Sequence, residues 1–284
     1  MSDQVISVVD RAASRLPQRI VCLTEETTET LYLLGEQHRI VGISGFTVRP
    51  PQARREKPRV SAFTSAKIER ILELEPDLVL GFSDLQSDIA AQLIRAGIAV
   101  HVFNQRSVTQ ILSMIALLGG MVGASCKAHA LIIELESGIE QIRKVASQLP
   151  RRPRIYFEEW DDPMISAIRW VSELITIAGG DDCFAELSTE GRAKQRIIAN
   201  PDEVVRRAPD IIVGSWCGKK FRPDSVAQRR GWSTIPAVRL GYVREIRSPD
   251  ILQPGPAALT DGLRQLHEII LRWSAATADS VQRQ

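Results

Sequence analysis

A chain of 284 residues with 44% hydrophobic and 25% charged side chains has material for two α/β lobes of about 120 to 140 residues each. Its 36 basic and 34 acidic side chains leave a formal net charge of +2, too small and too evenly spread to make nucleic acid an expected partner. No stretch approaches the roughly 20 apolar residues of a membrane span, so the chain is not expected to be membrane-embedded.

Met1 to Arg19 carries Asp3, Asp10, Arg11 and Arg15 and no apolar run of secretory length. Residues 1–18 therefore read as an N-terminal extension, and the chain as written is expected to be cytoplasmic. A periplasmic location is expected instead if a signal peptide was removed from, or wrongly left off, this start. From Arg19 the order is a strand (Arg19 to Leu23), a polar turn, a helix (Thr27 to Leu34) and a second strand (Ile40 to Ile43). Thr27 or Thr28 serves as N-cap and Gly35 as stop, which makes a βαβ unit. The proline-rich segment Gly45 to Arg59 holds Arg49, Arg54, Arg55 and Lys57; its prolines mark a solvated loop rather than a basic face. A helix over Lys67 to Leu74 ends before Pro76, and Leu78 to Gly81 is a short apolar strand of the kind buried on both faces. Helix Asp88 to Ala96, stopped by Gly97, leads to strand Ala99 to Phe103. This alternation predicts a parallel sheet with right-handed crossovers over 19–125.

Val108 to Leu149 holds no strand-like run. Ile132, Leu135, Ile139, Ile142 and Val145 share one helical face and predict a long helix over Cys126 to Gln148, within a connecting segment 126–150. The alternation resumes over 151–273. It comprises strand Arg154 to Phe157, helix Ile168 to Ala178 closed by Gly179 and Gly180, helix Pro201 to Arg207, strands Ile211 to Gly214 and Val243 to Ile246, and a final helix from about Leu259 to Trp273. Residues 274–284 read as a flexible tail. The predicted fold class is α/β, with two Rossmann-like lobes joined by a single long helix. Cys22, Cys126, Cys183 and Cys217 have no metal-type spacing and read as free thiols. A glycine-rich phosphate loop with lysine, a Gly-x-Ser-x-Gly elbow and a His-Glu-x-x-His pair are all missing, and His38, His101, His129 and His267 stand singly, so no enzyme is expected.

Ile68-Glu69-Arg70-Ile71-Leu72-Glu73-Leu74-Glu75-Pro76-Asp77-Leu78-Val79-Leu80 resembles the helix-and-strand signature of class III, helical-backbone periplasmic binding proteins, which feed ABC importers. The phrase recurs as Pro201-Asp202-Glu203-Val204-Val205 followed by Ala208-Pro209-Asp210-Ile211-Ile212-Val213. Gly179-Gly180, Gly231-Trp232, Gln253-Pro254-Gly255-Pro256 and Asp261-Gly262-Leu263 extend the likeness to about Trp273. Within the class, Pro50-Pro51-Gln52-Ala53 and Glu159-Trp160-Asp161-Asp162-Pro163 are similar to motifs of the vitamin B12 and corrinoid binders. The resemblance implies a monomeric substrate-binding protein that holds a corrinoid in a cleft between its lobes and delivers it to an ABC permease dimer. A ferric siderophore or haem, or a cytosolic carrier role without a permease, are the alternatives it leaves open. No resident cofactor is implied.

A bulky chelate needs broad aromatic walls and a few orienting polar groups. Trp160 and Trp216 follow the carboxyl ends of predicted strands, where open α/β sheets gather ligands, whereas Trp170 and Trp273 have the spacing of core residues. Phe46 and Phe63 flank the proline-rich loop, and the resemblance implies Phe63 as an opposing wall. The candidate ligand-binding residues are Phe46, Arg49, Phe63, Trp160, Asp161, Asp162, Trp216, Cys217 and Gln253, with Lys219 and Lys220 beside them. Asp161 and Asp162 have no nearby histidine and make a poor transition-metal site, so no metal is expected. Glu69 and Glu203, at corresponding positions of two helices, resemble the docking glutamates that meet a permease.

Overall fold

The computed structural model describes residues 15–282; residues 1–14 of the expected extension, and the last two of the expected tail, lie outside them. The chain divides into two compact units. The first takes residues up to Gln105 and Thr109–Glu134, and the second takes Arg106–Val108 and everything from Leu135.

The sheet of the first unit is made of β1 (Ile20–Cys22), β2 (Ile40–Ser44), β3 (Arg59–Ser61), β4 (Leu78–Phe82) and β5 (Val100–Phe103). Their order is β3-β2-β1-β4-β5, and every pairing is parallel. Strand β3 is an addition to the sequence reading: three residues after Pro58 are too few to show a period, yet Val60 reaches the core. Apolar side chains on both faces, as β1 and β4 carry, are what a sheet covered on both sides requires. Val21, Leu23, Val60, Ile71, Val79, Ile89 and Leu93 pack into one buried cluster, each contributing about 1.5–3 kcal/mol by leaving water.

In the second unit β6 (Arg154–Asp161) pairs with β9 (Ile211–Gly214), and β9 with β10 (Val243–Glu245), all parallel. The other edge of β6 pairs antiparallel with β7 (Met164–Ser166) and, near its start, parallel with the short β8 (Asp181–Asp182). Here the structure corrects the sequence reading. The strand expected to end at Phe157 continues four residues further, and Glu159 to Pro163 lies in the β-hairpin that β6 makes with β7. Tyr156, Phe184, Val204, Ile212, Phe221, Trp232 and Val243 form its core, and Trp170 and Trp273 are buried, as expected of core residues.

The two copies of the Pro-Asp phrase do the same physical work. Glu75 and Ala208 precede the prolines with positive φ, 45° and 44°, so each chain leaves its helix sharply and delivers an aspartate to the start of a strand. Asp77 accepts hydrogen bonds from the amides of Gln18 and Arg19, just ahead of β1, at 2.6 and 3.0 Å. Asp210 accepts from the Arg154 amide at the start of β6 at 2.9 Å, and Arg151 donates to its other oxygen at 2.6 Å. In both units the aspartate before one strand satisfies the first free amides of its central neighbour, which is an orphan donor at a sheet end.

The long helix is Ser125–Ala146 and carries the chain from the first unit into the second. Its buried line is Ala128, Leu135, Ile139 and Ala146, while Val145, expected on that face, is exposed. A further helix, Val108–Met121, precedes it; its nearly continuous apolar sequence hides the period. The last helix runs Leu263–Gln282, past the expected end at Trp273 and into the expected tail. No helix among the described residues is long and apolar enough to cross a membrane. Replacing Asp210 with alanine removes one buried charge-assisted bond and an ion pair, and is expected to cost about 2 kcal/mol, read as a lowered urea midpoint at unchanged m-value.

Candidate functional site

All of the residues singled out from the sequence as ligand contacts, except Gln253, fall at or just beyond the carboxyl ends of strands, on the end opposite the aspartate hooks. In the second unit that end is strongly polar. Glu158 is fully buried, and Arg229 donates to both its oxygens, at 2.5 and 2.9 Å. Trp216 Nε1 and the Tyr156 hydroxyl complete the carboxylate's coordination at 3.2 and 2.9 Å. Burial, reinforced by the Glu158 charge, holds the Tyr156 phenol well above its ordinary pKa, so it remains a donor. The next residue, Glu159, takes a bidentate bond from the buried Arg196, at 2.7 and 3.1 Å. Neutralised in this way, two successive acids can occupy a buried strand, and the strand proceeds to the hairpin.

Trp160 stands half-buried near the hairpin tip, with its indole N–H donating to the Asp162 carbonyl at 2.9 Å. Lys219 lies 2.6 Å from Asp161 and places its ammonium 5.5 Å from the Trp160 ring and 4.9 Å from the Trp216 ring. Both spacings are those of cation–π contacts. Trp216 itself is 5% exposed and packs edge-on against Phe221, so the ring expected as a second wall belongs to the core and shows the surface only through Lys219. Gly214, at the end of β9, makes that packing possible, since a β-carbon there would overlap the Phe221 ring. Asp162 and Cys217 are exposed and Gln253 is half-buried; Gln253 follows the short helix Ser248–Ile251 rather than a strand.

In the first unit Phe46 is 47% exposed beyond β2. Phe63, half-buried beyond β3, accepts a hydrogen bond at its carbonyl from Gln86. Arg49 is tied to Glu29 at 2.9 Å. The sequence reading passed over the most unusual group here: the helix beyond β1 is Glu25–Leu33 rather than Thr27 to Leu34, and its first seven residues are all buried. Thr24 is the N-cap, and the hydroxyls of Thr27 and Thr28 donate back to its carbonyl. Burial, then the charges of Glu26 and Glu29, pushes the Glu25 carboxyl up to about 8. Burial likewise raises Glu26 to about 7 against a hydrogen bond from Thr24. Acids in a first helical turn are ordinarily explained by the dipole, and nothing in the letters Glu-Glu-Thr-Thr-Glu distinguishes a solvated turn from a buried one.

Glu69 and Glu203 are each the second residue of a short helix, Ile68–Leu72 and Asp202–Arg207. Glu69 is exposed, whereas Glu203 is half-buried and bonded by Arg206 and Arg207 of its own helix. All four cysteines are free, and burial pushes the Cys22 and Cys183 thiols up to about 12. Among the described residues no group of three or more histidine, cysteine, aspartate or glutamate side chains could hold a metal ion.

A family model described as periplasmic binding protein matches residues 20–249. An uncharacterized ABC transporter substrate-binding lipoprotein of Bacillus subtilis is 25% identical over 270 residues, covering 92% of this chain and 82% of the relative. A cobalamin-binding protein of Halobacterium salinarum is 24% identical over 249 residues, 84% of this chain and 66% of the relative. Among solved structures, a periplasmic heme-binding protein from Roseiflexus superposes with a TM-score of 0.75 at 23% identity, covering 89% of this chain and 99% of that one.

The raised carboxyls set a pH dependence with a definite sign. In the unfolded chain Glu25 and Glu26 ionise near the ordinary carboxylate value of 4.5, and in the folded chain at about 8 and about 7. The folded state therefore holds protons that the unfolded state has released, and stability falls as pH rises from about 4.5 to 8. Glu25→Gln is expected to raise stability at pH 9 by on the order of 3 kcal/mol and to change little at pH 4. Thermal unfolding across this range checks it; a wild-type profile that does not decline between pH 5 and 8 contradicts it.

Proposed function

The chain belongs to the periplasmic binding protein family, and we propose that within it this member captures a corrinoid, a vitamin B12-like ligand, for delivery by an ABC importer. The family is one of substrate-binding transport proteins rather than of enzymes, with a class III α/β fold. The observation that carries the corrinoid reading is the Trp160 hairpin. A half-buried indole there is fixed by its own N–H bond and flanked by Asp161, Asp162 and Lys219. A rigid ring of this kind offers large contact area to a flat macrocycle at low entropic cost, and the charged groups at its rim suit a ligand edged with amides. The cobalamin-binding name of a relative supports the same class.

Phe46 and Phe63 are the apolar contacts assigned to the first unit; Arg49, Cys217 and Gln253 are assigned to polar contacts. Trp216 acts through Lys219 and through the Glu158 network it completes. Glu69 and Glu203 are the residues proposed to meet a permease dimer, at equivalent helix positions, Glu69 exposed and Glu203 half-buried beside Arg206 and Arg207; an exposed charge such as Glu69 steers encounter more than it adds affinity. Family membership and the lipoprotein relative support an extracytoplasmic location over the cytoplasmic one expected from residues 1–19. A second reading, a haem as ligand, is favoured by the likeness to the heme-binding structure.

Titration of the purified protein with cyanocobalamin tests the proposal. Quenching of tryptophan fluorescence and a raised thermal midpoint are expected at micromolar ligand. Trp160→Ala is expected to weaken binding at least about tenfold, equivalent to ~1.4 kcal/mol, with the native circular dichroism spectrum retained in the absence of ligand. No quenching and no thermal shift at tens of micromolar ligand rejects the corrinoid assignment.

A further inference from the structure

We infer that Glu25 and Glu26, together with Thr47, form a polar subsite in the first unit that accepts hydrogen bonds from a ligand's uncharged amide groups and discriminates against a carboxylate at the same position. The inference rests on the corrinoid reading and deepens it, since the edge of a corrin ring carries amides.

Three observations converge on this place. Glu25 and Glu26 are 5% and 1% exposed, and one oxygen of each, Oε2, has no hydrogen-bond partner among the described residues. Thr47, fully buried beyond the end of the neighbouring strand β2, likewise has an unpartnered hydroxyl. The pairing of Cys22 with Ile43 in the β1–β2 ladder puts all three residues at the same carboxyl edge. Buried polar atoms are almost always bonded, and an unmet pair of carboxyl oxygens costs free energy until a donor reaches it.

The charges nearby decide which donor. Glu25 faces Glu26 and Glu29 on its own helix and, from the segment after β2, Arg49 and Arg54, the latter on the short helix Ala53–Glu56. Glu26 faces Glu29 and takes the Thr24 hydroxyl on its other oxygen. Cys22, whose thiol stays protonated, and Lys57 stand beside Glu26 and Cys22 respectively. Arg49 is already bonded to Glu29, and Arg54 lowers the Glu25 pKa less than burial, Glu26 and Glu29 raise it, so the cluster is acidic where the two oxygens are unmet. An amide N–H satisfies an ionised or a neutral carboxyl. A ligand carboxylate can enter only if a proton enters with it, because like charges in a buried site cannot all be ionised. The raised carboxyl pKa values place that requirement across neutral pH. Access needs a neighbouring segment to yield, and the segment carrying Arg49 and the short helix Ala53–Glu56 is held to the helix Glu25–Leu33 through Arg49–Glu29 and Tyr32–Glu56.

The test compares cyanocobalamin with its derivative in which one side-chain amide is hydrolysed to a carboxylate, titrated by tryptophan fluorescence at pH 6 and pH 9. Preference for the amide form is expected to grow at least about tenfold from pH 6 to pH 9. The Glu25→Gln, Glu26→Gln double variant is expected to lose that growth while still binding cyanocobalamin. Should the double variant not fold, Glu25→Gln alone is expected to reduce the growth by about half or more. A preference that is the same at both pH values, or that persists in the glutamine variants, overturns the subsite and leaves the corrinoid reading standing. Failure of both corrinoids to bind overturns the two together.

Discussion

The Pro-Asp hook, made once in each unit, is the constraint on which the remaining geometry depends. Asp77 ties the entry of β1 to that of β4, and Asp210 ties the entry of β6 to that of β9. In a parallel ladder, fixing two neighbouring strands at their amino ends also fixes where their carboxyl ends finish. A one-residue slip would turn every side chain to the other face. Glu25 and Glu26 beyond β1, and Trp160 and Trp216 at the ends of β6 and β9, are placed by those two carboxylates at the far end of each sheet. The residue ahead of each proline, Glu75 and Ala208, accepts a left-handed conformation in both units, a cost on the order of 1 kcal/mol that the hook offsets.

At the carboxyl ends the two units treat buried charge in opposite ways. The second unit neutralises it: Glu158 and Glu159 each meet an arginine in a two-pronged bond, and the network rigidifies the strand that presents Trp160. Such pairs add little net stability over apolar packing but make removal of either partner expensive, so they fix geometry more than they hold the fold together. The first unit leaves Glu25 and Glu26 unmatched, with carboxyl oxygens that no described residue satisfies. In the second unit the outcome is a rigid aromatic surface, and in the first an unsatisfied acidic one.

The sequence was informative where the physics is local and repeated. The doubled Pro-Asp phrase located both hooks, the spacing of Leu135 and Ile139 located the long helix, and apolar runs located β4 and β9. It was silent where a partner distant in the chain decides the outcome. Glu159 to Pro163 reads as a loop because acidic residues seldom extend a buried strand, and only Arg196 and Arg229, 37 and 71 residues away from their partners, make the extension possible. Trp216 reads as an exposed ring because Cys217 and Gly218 follow it, yet Phe221 and Glu158 draw it inward. Strand β3 is too short for any period, and the basic groups that act on Glu25, Arg49 and Arg54, come from a segment distant in the chain. Glu69 and Glu203 were singled out by their shared helix position, but the arginines that occupy Glu203 lie on its own helix and leave the two unequal.

The most direct test of the account is a competition read by colour. The protein is exposed to equimolar cyanocobalamin, haemin and a ferric catecholate, passed through a desalting column, and its visible spectrum is recorded. The account predicts that the corrin bands emerge with the protein at close to one ligand per chain. A haem Soret band or a catecholate band in their place, or a colourless protein, contradicts it.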